Sequence, residues 1–151
     1  MNPLVRRYLK TGIVFLLAGL VLGGALLARW ELAGVYPSPT LVSAHAHVIL
    51  VGFVMMMILG VAQWMFPRPA KDDPRYRPQV AEAAYWIMTG ATALRFGGEI
   101  AREGSAALAV RAIVVAGGLG QIAGLALFFY NLWPRIRTVG AKPPTAGTPT
   151  A

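Results

Sequence analysis

Ser43-Ala44-His45-Ala46-His47-Val48-Ile49-Leu50-Val51-Gly52-Phe53-Val54-Met55-Met56-Met57 opens an apolar run that continues to Phe66 without a formal charge. A run of that length reads as a membrane-spanning helix. It carries both histidines of the chain. In hydrocarbon the polar ring of each must find a partner, so an ionisable or metal-binding side chain there marks a functional site.

Spacing decides which sites are open to the pair. Each helical residue advances the direction by about 100°, so positions i and i+2 point roughly 200° apart, onto nearly opposite faces. Histidines at i and i+4 could share one metal ion. His45 and His47 cannot, so as ligands they serve separate centres, one on either side of the helix, or one kind of centre repeated around an oligomer.

Of the 151 residues 56% are apolar and only 13% charged, which is a membrane composition. Cysteine is absent, which excludes disulfides, CxxCH heme attachment, thiolate zinc and cysteine catalysis. The net charge of +8 does not point to nucleic acid, because the basic residues cluster at the ends of apolar segments.

The fold class is all-α, a polytopic membrane protein of four transmembrane helices over about residues 9–29, 41–66, 79–99 and 106–133. The first follows Arg6, Arg7 and Lys10; without a small-x-small cleavage site it is retained rather than removed as a signal peptide. Pro37 and Pro39 interrupt the chain before the second. Pro67 to Pro78 is a polar loop in water or at the headgroups. The third helix is the least hydrophobic, with Glu82 near one end and Arg95 near the other, and its Ala, Thr and Gly content suits a protein-facing or cofactor-facing position. Gly19/Gly23 and Gly120/Gly124 form GxxxG pairs that allow close helix packing. Residues 138–151, rich in Pro, Thr, Ala and Gly, read as a disordered cytoplasmic tail. No broken helix pair or buried carboxylate marks a transport pathway.

Ten of the fourteen basic residues fall on one side of four such spans: Arg6, Arg7, Lys10, Arg68, Lys71, Arg75, Arg77, Arg135, Arg137 and Lys142. Arg29, Arg95, Arg102 and Arg111 fall on the other. The positive-inside rule puts both termini in the cytoplasm and the histidines toward the outer face of the cytoplasmic membrane. Trp30, Tyr36, Trp64, Tyr130 and Trp133 read as an interfacial belt. Met55, Met56 and Met57 fan out around the helix and read as packing.

In a cysteine-free bilayer site the imidazole partner to expect is heme iron. Ala44-His45-Ala46-His47-Val48-Ile49-Leu50 resembles the His-x-His helix of heme-copper oxidase subunit I, where one histidine binds the high-spin and the other the low-spin heme. It also resembles the Ala-His-Ala segment of that family's second helix. The oxidase subunit is built from three four-helix units around a pseudo-threefold axis, and this chain is similar to one of them. The resemblance implies a homotrimer, with heme b held between protomers by His45 of one and His47 of the next. Three further histidines that the family uses for copper have no counterpart, so the resemblance implies one-electron transfer rather than oxygen reduction, with donor and acceptor unspecified. Heme propionates need cationic partners, and Arg95, Arg102 and Arg111 lie on the side where they would point, Arg95 foremost. Two other functions fit the same residues: a gas-binding or redox-sensing heme protein, and a heme-free membrane subunit that packs through its GxxxG faces.

Overall fold

The computed structural model describes residues 2–66 and 77–136, and every regular element among them is helical. They form α1 (Pro3–Ala33), α2 (Pro39–Met65), α3 (Pro78–Ala101) and α4 (Leu108–Leu132), the last closed by a 3-10 turn at Trp133–Arg135. The tail 138–151, most of the loop after α2, and the basic residues Arg68, Lys71, Arg75, Arg137 and Lys142 lie outside the described residues. Among the described residues three helices are long and apolar enough to cross a membrane: α1, α2 and α4 with its terminal turn.

Helix ends follow local chemistry more than the limits of the apolar runs. The Asn2 side chain accepts from the Leu4 N–H at 3.1 Å, and Pro3 occupies the first turn, where its missing N–H costs nothing. Thus α1 begins before its basic residues instead of after them. It ends at Gly34, whose φ of 65° is left-handed and whose N–H bonds to the Trp30 carbonyl at 3.0 Å. Ser38 Oγ accepts from the Leu41 N–H at 3.2 Å, and Pro39, expected to lie in the connecting loop, is the first residue of α2.

Inside α2, Val48–Met55 is π-helical. Among the buried residues of α2, Ala44, Val48, Gly52, Met56 and Gly60 recur every four positions, with Leu41, Leu59 and Gln63 buried beside them. With ~3.6 residues per turn, an α-helix would carry such positions ~40° around the axis at each step. The wider i→i+5 turn holds them against the neighbouring helices.

Helix contacts are made through small residues. A Cβ added at Gly19 would run into Ile49 Cδ1, and one at Gly52 would lie 2.8 Å from Phe15 Cβ, so α1 and α2 touch at close range. Gly117, Gly120 and Gly124 do the same for α4, against Arg95, Ala91 and Met88 of α3. Lipid competes for apolar surface as well as protein does, so this close van der Waals contact holds the bundle.

At the end opposite the histidines all four helices converge on a core of Tyr8, Met56, Leu59, Ala84, Tyr85, Met88, Phe128 and Leu132. Tyr8 meets Tyr85 and Phe128 edge-to-face, with centroids 5.0 and 6.0 Å apart, pairs worth roughly 0.5–1.5 kcal/mol each beyond area burial. Arg135, buried at the end of α4, donates to the Gln63 carbonyl at 3.1 Å and the Phe66 carbonyl at 2.7 Å, capping α2.

Candidate ligand site around the two histidines

His45 and His47 lie in the α-helical first part of α2, so the opposed directions expected from their spacing hold. His45 is half-buried against α1, where its Nδ1 lies 3.0 Å from the Gly19 carbonyl. A carbonyl only accepts, so Nδ1 carries the proton. Gly23 makes room for the ring: a Cβ there would fall 2.6 Å from His45 Cε1.

His47, on the other side, donates from Nδ1 to the Ser43 carbonyl at 2.9 Å and also lies 3.2 Å from Ser43 Oγ. Both rings therefore carry a proton on Nδ1, held by a backbone carbonyl, and Nε2 is the ring nitrogen left for a ligand. Ligating histidines need this arrangement, in which the second nitrogen is anchored and the first is left as donor.

The His47 side opens into a groove of about 370 Å³ between α2, α3 and α4. His47, Val51 and Met55 of α2 line it together with Met88 and Arg95 of α3 and with residues of α4 that include Val115, Leu119 and Leu125. Arg95 Nη1 lies 3.4 Å from where a Cβ on Gly118 would sit, and it donates to Gln121 Oε1 at 3.2 Å. Gln121 Nε2 in turn donates to Thr92 Oγ1 at 3.2 Å.

One feature corrects the sequence reading, in which no carboxylate lay buried. Glu99 is only 3% exposed. Its Oε1 accepts from Ser43 Oγ at 2.8 Å and from Arg95 Nε at 3.3 Å, while Oε2 has no partner among the described residues. The signal lay in two i,i+4 pairs, Ser43 with His47 and Arg95 with Glu99, that only helix packing brings together.

Of the five residues singled out, His47 and Arg95 share the groove and His45 lies across the helix. Arg102 and Arg111 are exposed, at the C-cap of α3 and in the first turn of α4, and neither lines the groove. Among the described residues no group of three or more His, Cys, Asp or Glu could hold a metal ion by itself. The donor set is two separate imidazoles on opposite sides of one helix, a set that a heme iron accepts. Met56 is fully buried in the core, as expected for packing, whereas Met55 also borders the groove. Trp30, Tyr36, Trp64, Tyr130 and Trp133 are all exposed. Comparison with protein-family models, with curated proteins and with solved structures finds no match to this chain.

Proposed function

We propose that this chain is a four-span membrane protein of the cytoplasmic membrane, both termini cytoplasmic, that forms a homotrimer and holds heme b between copies for one-electron transfer. His45 of one copy and His47 of the next would hold the iron, and Arg95 would pair with a propionate. The observation that carries the reading is the anchoring of both Nδ1 atoms by backbone carbonyls, at 3.0 and 2.9 Å, which leaves two Nε2 donors on opposite sides of one helix. A single copy cannot bring both to one iron.

The fourth crossing is α3. At ~1.5 Å per residue its 24 residues reach ~36 Å, longer than the ~30 Å hydrocarbon layer. Its polar groups Thr92, Arg95 and Glu99 bond to α2 and α4, so the low apolar content that sets it apart reflects inward bonding. His45 lies ~9 Å along the helix axis from Pro39, inside the outer half of the bilayer. Exposed Val115, Leu119 and Ile122 on the groove rim supply an apolar surface for a neighbouring copy.

When bound, the porphyrin iron supplies a one-electron couple, and two imidazole ligands leave it no vacant position for substrate. The chain contributes fixed ligand tautomers, a guanidinium for carboxylate groups and an apolar wall against water. The test is the absorption spectrum of detergent-purified protein, oxidised and dithionite-reduced, with and without carbon monoxide. Sharp low-spin bands indifferent to carbon monoxide are expected. A carbon monoxide shift would favour gas binding, and a colourless protein after heme-replete expression would leave the heme-free packing subunit.

A further inference from the structure

We infer that Glu99, acting through Ser43, sets the reduction potential of the iron bound by His47 and makes the two histidine ligands electronically unequal; this rests on the heme reading above. The Ser43 hydroxyl donates its proton to Glu99 Oε1 at 2.8 Å, so its oxygen is left as the longer branch, at 3.2 Å, of the shared His47 Nδ1–H whose shorter branch goes to the Ser43 carbonyl at 2.9 Å. A relay thus runs from a carboxylate to the ligand's far nitrogen. Among the described residues His45 has no such relay: its Nδ1 meets the neutral Gly19 carbonyl.

Burial gives the relay its strength. Glu99 is 3% exposed, and in so little water its charge is poorly screened. Arg95 Nε, at 3.3 Å, shares the oxygen that Ser43 already bonds, and its Nη1 is drawn toward Gln121. The carboxylate end of this ion pair is therefore the end coupled to His47. A carboxylate behind a ligand imidazole raises the basicity of the donor nitrogen and favours the oxidised, more positive iron. Glu99 touches neither ligand nor cofactor and is a positioning residue.

Redox titration of the heme-loaded full chain, followed by absorbance, tests this with Glu99→Gln, Ser43→Ala and the control Glu103→Gln. Glu103 is an exposed carboxylate that accepts from Ser38 Oγ away from the histidines. Glu99→Gln should favour the reduced state at least tenfold, a positive shift of about 59 mV for one electron. Ser43→Ala should shift the same way by less, and Glu103→Gln should leave the potential unchanged. Should Glu99→Gln fail to fold, Ser43→Ala decides alone, since it keeps the Ser43 carbonyl on His47 and the Arg95–Glu99 pair. An unshifted potential in the folded variants, or an equal shift in Glu103→Gln, overturns the inference while the heme reading stands. A colourless wild-type protein overturns both.

Discussion

A Cβ at Gly23 would fall 2.6 Å from His45 Cε1, whereas one at Gly24 meets nothing within 4 Å. Two adjacent Gly→Ala changes in the same helix therefore have opposite consequences. Gly23→Ala should push the imidazole off the Gly19 carbonyl and lower heme occupancy roughly tenfold, the scale of losing an outer-shell anchor; Gly24→Ala should leave it unchanged. Heme-to-protein ratio after identical purification reads the difference. Arg95→Ala should weaken heme binding roughly tenfold to hundredfold, the loss of a charge-assisted hydrogen bond worth about 1.5–3 kcal/mol. Arg102→Ala and Arg111→Ala, exposed and off the groove, should match wild type in the same heme titration. His45 and His47 were legible from the sequence because each is a polar ring in an apolar run. Glu99 was not, because its partners Ser43 and Arg95 lie on different helices and only packing shows that it is buried.

At the level of the helix, Gly117 makes the closest approach between α3 and α4. A Cβ there would lie 2.7 Å from both the backbone nitrogen and the Cβ of Arg95, and backbone cannot turn aside as a flexible side chain can. Gly117→Ala should destabilise the bundle by about 1–3 kcal/mol, the usual cost of overpacking, read as a lower thermal midpoint in detergent. It should also displace Arg95 from the groove. The pair Gly120/Gly124 announced this contact in the sequence, but Gly117, one residue short of the same spacing, did not. The π-helical stretch of α2 escaped the sequence reading for a similar reason. A periodicity of 3.6 was assumed throughout, whereas Ala44, Val48, Gly52, Met56 and Gly60 recur every four residues. Helix starts were misplaced where Asn2-Pro3 and Ser38-Pro39 put a cap and a proline ahead of the apolar run, since proline was taken as a stop at places where it serves as a first-turn residue.

For the molecule as a whole, the apolar composition foretold what the outer surface bears: Val14, Val21, Leu119 and Ile122 are all more than half exposed, a distribution suited to lipid or to further copies of the chain. The proposed ligands, on opposite sides of one helix, turn this into a statement about assembly. Native mass spectrometry of the heme-loaded protein should give three chains per particle, and a monomer that retains low-spin heme would contradict the shared site. The most direct test is the reduced-minus-oxidised spectrum of His45→Ala and His47→Ala, each expressed alone and then co-expressed. Neither variant alone should show the carbon monoxide-insensitive bands, because every site lacks one ligand. Co-expression should restore part of them, since a copy with intact His45 can sit beside one with intact His47. Bands that persist in either variant alone, or that fail to return in the mixture when wild type shows them, would contradict a heme shared between copies.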